Sequence, residues 1–375
     1  MMLTEKPRIP FRLILLYGLW PGFIKILLYR LKGYRIGKGV SIGLGSVISG
    51  KRVEIGDHTT IGFLTIIRGE EILLESHVRI GSMTFLDTPY MQIGEGTNLN
   101  EQVFVGGLQF PDSRLVVGRN CSIMQMSFIN PAKSIVIGDE CVIGGHCLIF
   151  GHSSSLNQFE GYPVEFAPIE IGQGVGLAWR TFVLPGAKIG DGTMVGANSV
   201  VSGTLPPHSL AVGYPARIVG RPPVFPKRVS DEDKVEMFRK IVVEMIDFLA
   251  ASGLKCKSEG DYHEICQHRG RWHGIRRWKL HVVDSGVRYA LKSTGYQYPD
   301  VFLSLQEIPD DVRAFLSSRN VVWLDVARKE QSRHSNDLGI EVASFLRRFG
   351  VRMSRYPRTP AVDTRDSSAR VGPQA

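Results

Sequence analysis

Aliphatic residues return at every sixth position through the middle of this chain, and few folds admit that spacing. Ile171, Leu177, Val183, Ile189, Val195 and Val201 fall six apart without a slip. The same step joins Ile93, Leu99 and Val105, then Val117, Ile123, Ile129 and Ile135, then Ile137, Ile143 and Ile149. A helix face repeats at 3.6 residues and a half-buried strand at two, so neither produces it. A coil of three short flat sides does, at roughly 18 residues per turn, with one inward aliphatic side chain per side. Stacked coils then share one apolar column that no single coil buries alone. The pulse runs from near Ile36 to about Val201, which predicts a mainly β domain of about eight coils.

Three breaks in phase interrupt the ladder, near Met83–Met91, near Leu108–Arg114 and, longest, between Phe150 and Pro168. Insertions in a solenoid project from its corners and commonly carry function. Pro206 and Pro207 close the pattern, and a proline-rich linker follows from Arg221 to Pro226. The expected divisions are an amphipathic helical segment over 1–33, the coil domain over 34–221, a small α/β domain over 228–356 and a polar, disordered tail over 357–375.

In the third division Ser230 with Asp231 to Asp233 reads as a helix start, and apolar residues recur at helical spacing up to Gly253. Lys279–Val283, Val287–Leu291 and Val321–Val326 read as strands, and Asp310–Leu316 and Leu338–Phe349 as amphipathic helices. A basic, aromatic stretch from Arg269 to Trp278 could grip a polyanion or pack inward. Cys256, His263, Cys266 and His268 have no common zinc-site spacing, so no metal is expected.

The first division is apolar from Phe11 to Leu28, but Trp20-Pro21-Gly22 breaks it and Lys25 interrupts it. No small-residue cleavage site follows it, so it does not read as a secretory signal. A spanning helix needs about 20 largely uninterrupted apolar residues. Two readings remain: a helix capping the open end of the column, or an interfacial pair of helices with a basic rim toward anionic lipid. The net charge of +9 suits anionic partners such as phosphorylated cofactors or acidic lipid. Nothing resembles a nucleic-acid-binding motif. Five cysteines without a CxxC pair point to a reducing, cytoplasmic setting, with Cys121, Cys141 and Cys147 as small core residues.

Residues 34–221 resemble the hexapeptide-repeat acyltransferases. Three stretches carry the likeness: Ile137-Gly138 onward to Phe150-Gly151-His152-Ser153; Ile171-Gly172-Gln173-Gly174 through Pro185-Gly186 to Ile189-Gly190-Asp191; and Val195-Gly196-Ala197-Asn198 through Tyr214-Pro215-Ala216-Arg217. The nearest likeness is to O-acetyltransferases of exopolysaccharide, capsule and O-antigen synthesis and to the maltose and galactoside acetyltransferases. The resemblance implies a left-handed parallel β-helix, acetyl-CoA as cosubstrate, a homotrimer with sites between subunits, and a glycan, lipid-linked sugar or nucleotide-sugar acceptor. It implies O-acetyl transfer at the cytoplasmic side, free or peripheral on the inner membrane face. N-acyl transfer to an amino sugar or antibiotic, and a non-catalytic scaffold, are the competing readings.

Residue roles follow from the same likeness. Thioester-to-hydroxyl transfer needs a base, oxyanion donors and a slot for the pantetheine arm. His152, at the start of the longest insertion, matches the family's catalytic histidine, and a neutral imidazole can take the acceptor proton. His146 is the rival; His58 and His77 read as surface corners. Ala178 and Ala197 match small corner positions along the cofactor, Ser202 a small polar contact and Arg217 a coenzyme A phosphate contact, with Lys188 and Arg221 as weaker candidates. Asn157, Tyr162 and Glu165 are candidate acceptor contacts, Glu165 also as a group that orients His152. The family often carries a Trp at the position of Gly176; here the Trp is residue 179. A related carbonic anhydrase would need a third histidine on a neighbouring coil, and none is evident.

Overall fold

The computed structural model describes residues 10–259, 262–268, 275–290, 296 and 299–356. The expected tail over 357–375 and the stretch Arg269–Gly274 of the basic patch lie outside the described residues. The chain divides between Arg228 and Val229 into two compact units.

The first unit is a parallel β-helix with three faces, formed by sheets of nine, ten and eight strands. The chain visits the faces in turn at Arg35–Ile36, Ser41–Ile42 and Val47–Ser49, then returns to the first at Arg52–Ile55. Each strand pairs in parallel with its counterpart one coil on. Within these three sheets the closing hairpin of Leu210–Val212 with Arg217–Gly220 is the one antiparallel pair among the described residues. The ladder residues line one shared interior: Ile93, Leu99, Ile123, Ile129, Ile143, Ile149 and Val183 are all fully buried. The mainly β coil read from the sequence is the fold.

The expected turn length needs correcting. On the first face Arg52 pairs with Glu71 and Glu71 with Tyr90, nineteen residues per coil. Eighteen appears only later, where Gly176 pairs with Met194 and Phe182 with Val200. The added residue lies on the first face, whose strands Arg52–Ile55, Glu71–Leu74 and Tyr90–Ile93 each bury two inward side chains. The break near Met83–Met91 is therefore a wider face and not a departing loop. The other two breaks are insertions: Phe104 pairs with Phe128, twenty-four residues on, and Leu148 with Phe182, thirty-four on.

The corners follow a rule of their own. At the corners after the first and second faces one residue takes left-handed backbone, which costs an ordinary side chain and suits glycine. Gly39, Gly45, Gly96, Gly174 and Gly192 occupy such corners, but so do His58, Leu64, His77, Met83 and His146. The next residue inward is small, and its hydroxyl donates to a carbonyl of the adjacent coil, as from Thr59 to Glu75 (2.8 Å) and Thr65 to Gly81 (2.9 Å). Cys121, Cys141 and Cys147 take the same place, with Sγ 3.0, 3.0 and 3.2 Å from the carbonyls of Gly138, Gly172 and Ala178. They are buried, as expected, but act as hydrogen-bonding corner residues and not simply as apolar filler.

The helix Gly22–Leu31 closes the first coil. The Tyr29 hydroxyl accepts from the Ile48 amide at 2.9 Å, and Lys25 Nζ donates to the carbonyls of Gly43 and Ser46 at 2.6 and 3.2 Å. Arg30 donates to the carbonyls of Ile36 and Gly37. Capping is thus the role the structure gives this segment, and burial pushes the Lys25 amine below the usual lysine range. Lys25→Ala should cost about 2 kcal/mol, because it leaves end-of-column carbonyls unbonded while their surroundings stay buried. Thermal melting and amide exchange over 36–49 would check this.

In the second unit the helix Asp231–Ala251 starts at Ser230, whose Oγ accepts from the Asp233 amide at 3.1 Å. A seven-stranded sheet follows, antiparallel through Lys255–Glu259, Tyr262–His268 and Ile275–Val283, then parallel to Val301–Ser304 and Val322–Asp325. The helices Asp310–Ser318 and Asp337–Arg347 lie where the sequence places them. The expected strand at Val287–Leu291 is instead a helical turn over Val287–Ala290. Val287 and Ala290 lie three apart, and so short a run fits one face of a helix as readily as a strand. Cys256 stands opposite Ile265 and Lys255 opposite Cys266, while His263 Nδ1 is 2.9 Å from Ser258 Oγ. Among the described residues no group of three His, Cys, Asp or Glu is placed to hold a metal.

Candidate functional site

The thirty-four-residue coil leaves the column after strand Leu148–Phe150. Gly151 donates to the Asn130 carbonyl at 2.9 Å and accepts from the Ala167 amide at 3.2 Å, so the loop is pinned at its root. A Cβ on Gly151 would stand 3.0 Å from the Lys133 amide nitrogen, which favours glycine there. From this root the chain forms an antiparallel ribbon, His152–Ser153 against Glu165–Phe166. Its tip is a helical turn at Gln158–Glu160, closed by Gly161 in left-handed backbone.

His152 opens the ribbon between two phenylalanines. Its ring lies 6.0 Å from Phe150 and 6.1 Å from Phe166, nearly parallel to both. Nδ1 is buried without a hydrogen-bond partner. Burial favours the neutral imidazole and lowers its pKa below the usual histidine value. Phe166 also meets Phe110 edge to face at 5.3 Å, and Lys133 Nζ lies over the Phe110 ring while pairing with Asp112 at 2.8 Å. Both insertions of the β-helix therefore converge beside this imidazole. Sequence reasoning found His152 but missed Phe110, Phe150 and Phe166. Phe85, Phe104, Phe128, Phe150 and Phe182 form a ladder of ring contacts at 4.7 to 5.4 Å along the third face, leading to His152.

The other candidates fall in separate places. Glu165 pairs with Ser153 and Phe166 with His152, so alternation puts the carboxylate on the opposite face of the ribbon from the imidazole. Its Oε1 lies 3.2 Å from where a side chain on Gly186 would begin. Glu165 therefore does not orient His152. Asn157 is engaged in its own turn: Oδ1 accepts from the Phe159 amide at 3.0 Å and Nδ2 donates to Glu160 at 2.9 Å. Its role is to cap that turn, which counts against the acceptor contact expected of it. Tyr162 is exposed on the loop.

Ser202 follows strand Val200–Val201 and shares the corner edge of His152. Ala178 and Ala197 follow the second-face strands Gly176–Leu177 and Met194–Val195, on the edge across the third face. The Ala178 carbonyl accepts from Thr181 Oγ1 at 2.8 Å. Trp179 lies against Gly145, where any Cβ would meet its ring, and tilts over His146 at 6.0 Å. The displaced Trp thus builds a wall at the edge that holds Ala178 and Ala197. His146 itself is an exposed corner residue. Arg217 is exposed and begins the closing antiparallel strand; Lys188 pairs with Glu170 at 3.1 Å. A single chain therefore brings His152 and Ser202 to one edge and the small-residue corners to the next.

No family profile matches the chain. A protein of Staphylococcus aureus strain Mu50 named a putative acetyltransferase is 48% identical over 60 residues, 16% of this chain and 30% of the relative. Galactoside O-acetyltransferase of Escherichia coli K12 is 34% identical over 77 residues, 20% of this chain and 34% of that enzyme. The chain thus spans about a third of the length of these relatives. Among solved structures, Arabidopsis UDP-N-acetylglucosamine acyltransferase aligns over 56% of this chain and 79% of its own, at 18% identity and a TM-score of 0.33.

Proposed function

We propose that this chain, whose β-helix is of the hexapeptide-repeat acyltransferase type, is an acetyl-CoA-dependent O-acetyltransferase acting on a sugar hydroxyl of a cell-surface glycan precursor. The observation that carries the reading is His152, a half-buried imidazole at the root of the longest insertion, nearly parallel to the rings of Phe150 and Phe166 and with its pKa lowered by burial. Such a group can accept the hydroxyl proton as the acceptor oxygen bonds to the thioester carbonyl carbon. When the carbon–sulfur bond then breaks, the same proton returns to the departing thiolate. No covalent acyl-enzyme is needed.

Ala178 and Ala197 would let the pantetheine arm approach the backbone, Ser202 would offer a polar contact and Arg217 would meet a phosphate of coenzyme A. Their separation from His152 by one face of the prism favours a cleft shared between copies, and the family resemblance implies that the copies number three. Tyr162 and Glu165 remain the loop groups open to an acceptor. A thioester cosubstrate and five free cysteines fit action in the cytoplasm.

The test is incubation of the purified chain with acetyl-CoA and a panel of lipid-linked, nucleotide-linked and free sugars, read by mass spectrometry. The expected product is a sugar ester carrying one acetyl group, labile to mild base. A base-stable amide on an amino sugar would replace this reading with N-acyl transfer. No transfer, together with no rise in melting temperature on adding coenzyme A, would leave a scaffold; a ligand at 100 times its Kd should add about 2.7 kcal/mol.

A further inference from the structure

The cap helix has its polarity inverted. Gly22–Leu31 turns Lys25 and Tyr29 inward, both fully buried, and turns Phe23, Leu27 and Leu31 outward. Those three, at i, i+4 and i+8, form one stripe and are 75%, 59% and 76% exposed. A helix on a water-facing surface does the reverse. In the preceding segment Leu15, Leu16 and Leu19 are exposed as well. The two helical segments meet at a bend of 109°, and no single described helix is long and apolar enough to cross a membrane.

The charge flanking the stripe in sequence is of one sign, although in the fold Arg35 pairs with Glu54 at 3.2 Å and the Lys38 amide donates to Asp57. Between Glu5 and Glu54 the sequence has no acidic residue, whereas Arg12, Lys32, Arg35 and Lys38 flank the stripe in sequence. We infer that this cap is a docking surface for a bilayer bearing anionic headgroups. The Phe and Leu side chains enter the acyl boundary and the cations meet the headgroups. A second copy of the chain is the poorer occupant, since a two-fold interface through this face would set its cations against their own images. Lys25 makes the arrangement possible: it satisfies the column's carbonyls from inside, which leaves the outer face apolar but for the exposed Arg30. The inference does not depend on acyl transfer.

The test is flotation of the full chain with phosphatidylcholine vesicles, with and without one-third phosphatidylglycerol. The chain should float with anionic vesicles and bind neutral ones at least ten-fold more weakly. F23S/L27S/L31S should lower anionic binding at least ten-fold with an unchanged melting temperature, since all three side chains are exposed. Should that variant melt early, R12E/K38E gives an independent reading: binding should fall and lose much of its dependence on salt. No flotation, equal binding to neutral vesicles, or undiminished binding by both variants would overturn the inference. So would an oligomer that F23S/L27S/L31S splits while neither protein floats, which would assign the face to a second copy.

Discussion

His152→Ala is expected to lower acetyl transfer by about 10² to 10⁴-fold in kcat, the usual contribution of a positioned general base. Melting temperature and acetyl-CoA affinity should hold. The imidazole sits on a ribbon outside the column, with Nδ1 unbonded, so its removal breaks no hydrogen bond of the fold. Phe150 and Phe166 would lose a stacking partner, a cost smaller than any interior deletion. Steady-state kinetics with a hydroxyl acceptor, alongside coenzyme A titration, separates the two effects. Full activity in the variant would remove His152 from the mechanism; loss of coenzyme A binding would mean that it shapes the cleft and is not the base.

Ile149→Ala should destabilise the β-helix by about 2–5 kcal/mol, the range for deleting a branched aliphatic side chain from a close-packed interior. Ile149 is fully buried and lies in register between Ile129 of the coil before and Val183 of the coil after. Each coil of a solenoid is held chiefly by its neighbours, so the cavity weakens both interfaces at once. The strand it belongs to leads directly into Gly151 and His152, so the site should loosen before the whole column melts. An exposed alanine substitution in the same unit, such as Met194→Ala, should stay within about 0.5 kcal/mol. Paired denaturant titrations followed by circular dichroism would show the contrast.

The fold was legible because an inward aliphatic every sixth residue repeats a physical requirement of the coil. Where the coil changed, the reading slipped. From Ile48 to Ile55, Ile67 to Leu74 and Leu86 to Ile93 the spacing is seven and not six, since Val53, Ile72 and Met91 give the first face a second inward residue. That regular step is visible in the sequence, yet near Met83–Met91 it reads as a broken phase. The site was half legible. His152 stands in a motif, but the rings that desolvate it arrive from Phe150 on the column and Phe166 across the ribbon, and Phe110 reaches Phe166 from another coil. Long-range pairing of that kind leaves no local periodicity. Glu165 looked close to His152 in the loop; strand alternation turned it away. Lys25 read as an interruption of an apolar run, whereas its amine bonds two carbonyls at the column's end.

The pH dependence of kcat/KM bears most directly on the central claim, that a neutral His152 takes the acceptor proton. Burial lowers the pKa of this imidazole, so the free base should persist below the ordinary histidine value of 6.5 and disappear only as pH falls through the lowered one. The rate should therefore be level through neutral pH, fall on an acid limb centred below 6.5, and lose that limb in His152→Ala. An acid limb centred above 6.5, or the same limb retained in the variant, would contradict the account.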